Sequence, residues 1–366
     1  MPPENVETPL KRRIRAMVDA DGPMPVAQFM ALCLADPREG YYRARQPFGR
    51  SGDFITAPEV SQMFGELIGA WAVSCWREFG RPAPFAFIEI GPGRGTLMAD
   101  MLRAAARINP DFRAAACVFL TETSPALQAE QRKRLAGEQG LAWIATLDEA
   151  PALPLVLIAN ELFDALPARQ IVRTVEGWRE RMVGLVDGEP GFIAGGPVSA
   201  FDALPPGADR APPGTVFEPA PAREALAGAI AARILRDGGV ALAIDYGHLQ
   251  PGFGDTLQAL RQHKYISPFA HPGEDDLTSH VDFYALAQAA RAEGATTGAM
   301  TQGDFLLALG LLERAGRLGA GKPPADQDDI RAAVERLAGT GSGQMGDLFK
   351  CLAIARPGAL PPPFSN

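Results

Sequence analysis

An acidic residue and three glycines have the spacing of a site that binds a small cofactor. Glu89 ends an apolar stretch typical of a strand, Gly91, Gly93 and Gly95 follow, and a helical pattern begins just after them. Glycines in such a strand–loop–helix connection let a ligand approach bare main chain. The sequence therefore predicts a cofactor site at the end of this strand.

The spacing of the glycines distinguishes two classes of cofactor. A dinucleotide site has the pattern G-x-G-x-x-G/A, and Thr96 stands where the third small residue is required. The observed E-x-G-x-G-x-G is the pattern of enzymes that bind S-adenosylmethionine, in which an acid such as Glu89 suits the positive methionine portion. Glu122, after the next predicted strand, can accept hydrogen bonds from both ribose hydroxyls, and Asp148 can bind the adenine amine. Glu122 can instead be a surface carboxylate at a helix start. Asp148 can equally have no role in binding.

Predicted strands alternate with helices around this loop, which favours an α/β fold. Such a fold is Rossmann-like, with a mainly parallel sheet and helices on both faces. A turn at Asp187-Gly188 predicts an antiparallel hairpin over 170–194. We expect an N-terminal helical and loop extension at 1–80 and a core at 81–366. Insertions are expected at about 176–235 and 250–345, the second mostly helical over 277–337. The predicted strands are 85–90, 116–120, 141–145, 155–159, 239–246 and 348–355, and the helices include 9–20, 26–34, 60–79, 96–107, 125–135 and 222–236.

The segment 40–61 carries glycines, aromatic residues and short polar residues without a helical or strand period. A loop of that length within a compact domain is usually functional. We expect it to fold over the cofactor as a lid, with Asp53 and Thr56 as contacts and Glu59 nearby. The alternative is a structural Ω-loop that only packs.

Polar residues also follow the strand predicted at 155–159. Asn160, Glu161 and Asp164 come just beyond its carboxyl end, where open α/β sheets bind ligands. The alternative for this group is the start of a helix with acids placed for its dipole. His248 ends a later strand and is a candidate general base, although a lone histidine at a strand end is more often structural.

Composition and charge exclude several classes of function. The 366 residues carry a formal net charge of −8, which argues against tight, charge-driven binding of nucleic acid. The four cysteines and four histidines have no metal-ligand spacing, so no metal site is expected. No apolar run reaches the ~20 residues of a membrane helix, and the first residues do not resemble a secretory signal. We expect a cytoplasmic protein; its oligomeric state stays open.

Five sequence blocks occur in the order typical of one family. On these blocks taken together, the chain resembles the MidA-like methyltransferases. The blocks are GDFITAPE (52–59), EIGPGRG (89–95), NELFDALP (160–167), DYG (245–247) and MGDLFK (345–350). The resemblance covers about residues 9–355. It implies the class I methyltransferase fold and S-adenosylmethionine as cofactor. For the mitochondrial members it implies symmetric dimethylation of an arginine on a complex I subunit, as part of complex I assembly.

An arginine acceptor is compatible with the residues after the strand at 155–159. Glu161 and Asp164 can bind the guanidinium nitrogens that do not react, each charge-assisted bond contributing roughly 1.5–3 kcal/mol. Asn160 can orient the acceptor or contact the cofactor's amino-acid end. Two alternatives stay open: a methyltransferase for another protein or a small molecule, and an assembly chaperone that binds the cofactor. An NAD(P) oxidoreductase is disfavoured by Thr96.

Overall fold

The structure, a computed structural model, describes residues 7–44, 56–198, 204–261 and 264–364. The helices in these ranges are α1 (Pro9–Asp21), α2 (Val26–Ala35), α3 (Tyr41–Ala44), α4 (Ala57–Val60), α5 (Gln62–Glu78), α6 (Thr96–Ile108), α7 (Pro110–Ala115), α8 (Pro125–Arg134), α9 (Pro221–Asp237), α10 (Phe283–Ala292), α11 (Gln302–Ala308), α12 (Leu311–Gly319) and α13 (Pro324–Ala338). The strands are β1 (Met24–Pro25), β2 (Phe85–Ile90), β3 (Ala116–Thr121), β4 (Leu141–Ile144), β5 (Leu155–Asn160), β6 (Ile171–Thr174), β7 (Gly177–Val186), β8 (Glu189–Pro197), β9 (Val216–Phe217), β10 (Gly239–His248), β11 (Gln258–Arg261), β12 (Lys264–Ile266), β13 (Asp276–Thr278), β14 (Val281–Asp282), β15 (Thr296–Thr301) and β16 (Phe349–Ala355).

The chain divides into two compact units, each assembled from three segments. The first unit comprises Met1–Phe54, Asp164–Glu224 and Gln250–His280, and the second comprises Ile55–Phe163, Ala225–Leu249 and Val281–Asn366. The boundaries of these units differ from those of the expected segments 1–80 and 81–366. The expected division into two domains stays a prediction.

The second unit contains the mainly parallel sheet predicted from the sequence. Its strand order is β15-β16-β10-β5-β2-β3-β4, and β14 also pairs with β10. Neighbouring strands from β10 to β4 pair in parallel, and β16 is antiparallel to both β10 and β15. Every residue of β2 and β5 is buried, as expected for central strands covered on both sides. The predicted fold class is confirmed.

Two glycines on α5 let this helix pack closely against α6. A Cβ at Gly69 would lie 2.7 Å from the carbonyl oxygen of Met101, and one at Gly65 would lie 2.6 Å from the Cβ of Asp100. A larger side chain at either position would push the helices apart, so backbone contact replaces side-chain packing here. The close packing holds α6, which begins at the end of the glycine loop.

The first unit contains antiparallel sheets. β7 pairs with β1, β6 and β8, and β6 also pairs with β9. The hairpin of β7 and β8 turns at Asp187 (φ 53°) and Gly188 (φ 81°), a pair of positive φ angles typical of a two-residue type I′ turn. The hairpin predicted at this position is confirmed. The core of the first unit includes three fully buried residues of α1 and α2, which are Leu10, Ile14 and Phe29.

Two regions differ from the sequence-based expectation. The insertion expected at 250–345, mostly helical, also contains β11, β12 and β13, which form an antiparallel sheet. The same insertion contains β15, which pairs with β16. The strand β15 reads TTGAMT, and its small and polar residues do not form an apolar strand pattern. In the segment expected as a loop at 40–61, α3 and α4 are helical, and Asp53 lies outside the described residues. No helix that the structure describes combines the length and apolar character needed to cross a bilayer.

Candidate functional site

The carboxyl ends of three adjacent parallel strands of the second unit carry the predicted cofactor residues. Ile90 of β2 lies opposite Thr121 of β3 and Ala159 of β5. The next residues along these strands are therefore Gly91, Glu122 and Asn160, at one edge of the sheet. The strand order also reverses between β2 and β5, and ligands bind at such switch points in open α/β sheets.

The glycine loop after β2 has a backbone that side chains with a Cβ rarely adopt. The φ angles of Gly91, Gly93 and Gly95 are 70°, 49° and 77°. The amide of Gly95 donates to the carbonyl of Pro92 at 2.7 Å, which closes a tight turn before α6 begins. A Cβ on Gly91 would lie only 3.0 Å from Leu162 Cδ1. The loop thus presents bare main chain at the strand tips.

Glu89 is a buried carboxyl beneath this loop. Its exposed fraction is 2%, and burial raises its pKa to about 8 although the main-chain amide of Met98 donates to it. Among the described residues no group donates to Glu89 Oε2. An ammonium group, such as the one on the predicted cofactor, would supply the missing donor. The residue therefore fits a ligand with a positive amino-acid end.

Glu122 follows β3, and two partners orient its carboxylate. The amide of Ser124 donates to Oε1 at 2.7 Å, and Gln131 Nε2 donates to Oε2 at 3.3 Å. Each carboxylate oxygen accepts more than one hydrogen bond, so both can also accept from a pair of ribose hydroxyls. Asp148 lies on a short 3₁₀ helix, Leu147–Glu149, where it is exposed. Its contact with an adenine amine stays a prediction.

Asn160 and Glu161 form a strained corner at the end of β5. Glu161 has φ 49°, a left-handed conformation that is uncommon for a residue other than glycine. Its Oε1 accepts from the amide of Ala57 and from Asn160 Nδ2, both at 3.2 Å. The buried Oδ1 of Asn160 has no hydrogen-bond donor within the described part of the chain. The corner thus combines a carboxylate with a buried acceptor that a ligand can satisfy.

The short helix α4 is attached to this corner and to the glycine loop. Besides the contact from Ala57, Thr96 Oγ1 at the start of α6 donates to Glu59 Oε1 at 2.7 Å. Arg94 of the loop pairs with Glu130 at 2.5 Å and lies 3.9 Å from Glu59. Thr56 precedes α4 as its N-cap, and its contact with the cofactor stays a prediction.

Asp245 and Gln131 were not among the site residues predicted from sequence. Asp245 is fully buried in β10 and accepts from the amides of Phe163 and Tyr246, both at 2.9 Å. It therefore holds the main chain that follows Glu161. Two features of the sequence point to it: the block DYG (245–247) begins with this residue, and it is the single acid within the apolar stretch 239–246.

Two further predicted site residues are Asp164 and His248. Asp164 belongs to the first unit, where its carbonyl accepts from Arg223 Nη2 at 3.0 Å. His248 ends β10, and its Nδ1 lies 3.9 Å from Asp282 Oδ1. Since Ile244 lies opposite Asn160, His248 is four residues further along, roughly 13 Å beyond that position. The catalytic roles of Asp164 and His248 stay predictions.

The described residues contain no group of three or more His, Cys, Asp or Glu side chains arranged to hold a metal ion. The edge of the sheet described above presents carboxylates, amides and bare glycine backbone.

Comparisons with known proteins agree with this geometry. A family model of S-adenosyl-L-methionine-dependent methyltransferases matches residues 67–301. The chain is 36% identical to the mitochondrial protein arginine methyltransferase NDUFAF7 homolog of Drosophila melanogaster, covering 96% of this chain and 85% of that protein. It is 32% identical to protein arginine methyltransferase NDUFAF7 of Homo sapiens, covering 85% and 75%. A crystal structure of a Burkholderia thailandensis protein bound to S-adenosyl-homocysteine is similar, with a TM-score of 0.80, 28% identity and coverage of 96% and 95%.

Proposed function

The chain belongs to the family of S-adenosyl-L-methionine-dependent methyltransferases, and from this premise we propose that it is a protein-arginine N-methyltransferase. The proposal is supported by the names of its relatives, which are protein arginine methyltransferases at 30–36% identity. The resemblance to the MidA-like family further points to a subunit of respiratory complex I as the protein that carries the acceptor arginine.

The observation that carries the proposal is the backbone of Glu161. A left-handed conformation costs a residue with a Cβ about 1–2 kcal/mol, and such strain persists mainly at functional sites. Glycine would remove that cost, yet it would not bring a carboxylate to the end of β5 next to the glycine loop. We attribute the strain to the chemistry of the carboxylate.

A guanidinium is a poor nucleophile because its charge is delocalised and its pKa is above about 12. S-Adenosylmethionine supplies an electrophilic methyl group when it is bound. Glu161 would accept hydrogen bonds from the guanidinium nitrogens that do not react and so localise positive charge on them. Asn160 Oδ1 would accept from the acceptor or from the amino-acid end of the cofactor. The lone pair of the reacting nitrogen would then attack the methyl carbon in line, for which distances of ~3–3.5 Å are needed. The nitrogen–methyl bond forms as the methyl–sulfur bond breaks, S-adenosylhomocysteine leaves, and the reacting nitrogen releases one proton.

The cofactor is proposed to lie across the tips of β2 and β3. Glu89 would face its ammonium group, the glycine loop would pack against the adenosyl portion, and Glu122 would bind the ribose. Asp148 is the proposed partner of the adenine amine. Asp53 and Thr56 are the proposed lid contacts, and Asp164 is the proposed second carboxylate for the guanidinium.

The test is methyl transfer by the purified full chain. Labelled S-adenosylmethionine and the purified complex I subunit that resembles the large hydrogenase chain are incubated with the enzyme, and mass spectrometry locates the methylated residue. Glu161→Gln keeps an oxygen that can accept from the Ala57 amide but removes the charge. We expect transfer to fall roughly 10–100-fold, the equivalent of about 1.5–3 kcal/mol. The affinity for S-adenosylhomocysteine should stay within about twofold of wild type.

A matched control is Glu293→Gln, the same chemical change at an exposed residue of the same unit. It should transfer methyl groups at the wild-type rate. Full activity of Glu161→Gln would remove Glu161 from the acceptor site. Methylation of a residue other than arginine, or of a small molecule only, would contradict the proposed acceptor but leave the family assignment intact.

A further inference from the structure

Gln131 is a buried amide that joins three elements of the second unit. It lies on α8 with an exposed fraction of 0%. Its Nε2 donates to the carbonyl of Gly93 at 2.6 Å and to Glu122 Oε2 at 3.3 Å. Its Oε1 accepts from Trp143 Nε1 on β4 at 2.7 Å. One side chain thus contacts both the glycine loop and the carboxylate proposed to bind ribose.

The partners determine which way the amide faces. The indole N–H of Trp143 can only donate, so it must meet the amide oxygen. The carbonyl of Gly93 and the carboxylate of Glu122 can only accept, so they must meet the amide nitrogen. A flipped amide would place a donor against a donor and an oxygen against two acceptors. Trp143 therefore keeps the amide nitrogen aimed at the two cofactor-facing groups.

The surrounding packing leaves space for this side chain and little else. A Cβ at Gly95 would lie 3.3 Å from Gln131 Cγ, which is closer than an ordinary van der Waals contact. Glycine at this position therefore leaves room for the Gln131 side chain, and it also adopts the φ of 77° that the loop needs. The donated bond uses one acceptor position on Glu122 Oε2, as the amide of Ser124 does on Oε1. A carboxylate oxygen can accept more than one hydrogen bond.

We propose that Gln131 is a positioning residue that holds the carboxylate of Glu122 at a set distance from the glycine loop, and thereby determines the affinity for the adenosyl portion of the cofactor. This inference rests on the proposed roles of Glu122 and the loop. Since both groups contact the same ligand, their relative position must be fixed before binding for the ligand to meet both without a further ordering cost.

The test is calorimetric binding of S-adenosylhomocysteine to the full chain. Gln131→Met keeps the length of the side chain and removes both donated bonds, and we expect about tenfold weaker binding. Gln131→Glu is nearly isosteric but places a carboxylate beside Glu122, so its loss should be at least as large. Trp143→Phe keeps the ring and removes the N–H, and its loss should be smaller than that of Gln131→Met.

A double-variant comparison separates positioning from general structural support. If Gln131 acts through the carboxylate, Gln131→Met combined with Glu122→Ala should lose less affinity than the product of the two single losses. Leu127→Ala removes a buried side chain from the same helix, and it should lower stability without changing affinity.

Three results would overturn the inference: wild-type affinity in Gln131→Met, multiplicative losses in the double variant, or equal weakening by Leu127→Ala. Failure of the wild-type chain to bind S-adenosylhomocysteine at all would instead contradict the proposed function. The two kinds of failure are therefore distinguishable in one set of titrations.

Discussion

Replacing Glu89 by glutamine should change how the stability of the cofactor-free protein depends on pH. The carboxyl is fully buried, and burial raises its pKa from 4.5 to about 8. Below about pH 4.5 the group is protonated in both the folded and the unfolded chain and contributes no difference between them. As pH rises from there towards 8, the unfolded chain releases the proton first, so the free energy of unfolding falls.

The size of this fall follows from the two pKa values. With 4.5 unfolded and about 8 folded, the linkage relation gives a destabilisation of about 1 kcal/mol at pH 5.5 and about 4 kcal/mol at pH 7.5. The wild-type chain should therefore lose about 3 kcal/mol over this interval through Glu89 alone. Glu89→Gln removes the titrating group and with it that loss.

Urea unfolding of both chains at the two pH values measures the effect. The stability of the variant relative to wild type should rise by about 3 kcal/mol between pH 5.5 and 7.5. Glu293→Gln, at an exposed position, should follow the wild-type profile. If the profiles of wild type and Glu89→Gln run parallel, Glu89 is ionised in the folded protein and the reasoning from burial is wrong. Saturating S-adenosylhomocysteine, whose ammonium would favour the ionised form, should reduce the dependence in wild type.

Three further substitutions test the geometry of the site. Gly91→Ala should destabilise the protein by about 1–2 kcal/mol or more in urea unfolding, because φ is 70° and the new Cβ would lie 3.0 Å from Leu162; unchanged stability would mean the loop relaxes freely. Glu122→Gln should weaken S-adenosylhomocysteine binding about tenfold in calorimetry with little change in stability, and unaltered binding would remove it from the ribose site. Asp245→Asn removes one of the two oxygens that accept from main-chain amides, so the free energy of unfolding should fall by about 1–3 kcal/mol. Equal denaturation midpoints for the variant and wild type would contradict this.

Much of the central sheet is predictable from local sequence. β2 spans the residues predicted for it, and the ends of β3, β4, β5 and β16 differ from prediction by one residue. Apolar runs of this length bounded by polar residues and glycines specify buried strands with little help from distant contacts. The turn at Asp187 and Gly188 is equally local, because its positive φ angles restrict the residue types that can stand there.

The strand β15 shows where local patterns fail. Its residues, TTGAMT, are not apolar enough to signal a strand, and it forms by pairing with β16, whose partner residues lie 49 to 59 positions later in the chain. Gly298 in its middle faces Phe364 and Leu360, so its packing also depends on the C-terminal segment. A strand that is stabilised by such distant partners cannot be recognised from its own composition.

By itself, the sequence determined the glycine loop, the acids beside it and the strands that they follow, because each depends on residue types and periods within a few positions. Only the tertiary structure decided the order of these strands in the sheet, the contacts of Gln131 with Glu122 and the loop, and the hydrogen bond by which Asp245 holds the chain after β5. It also decided that Glu161 adopts a left-handed backbone with the Ala57 amide as its donor. These contacts join residues from 9 to 104 positions apart, and a hydrogen bond between such residues depends on where folding brings them rather than on the pattern around either one.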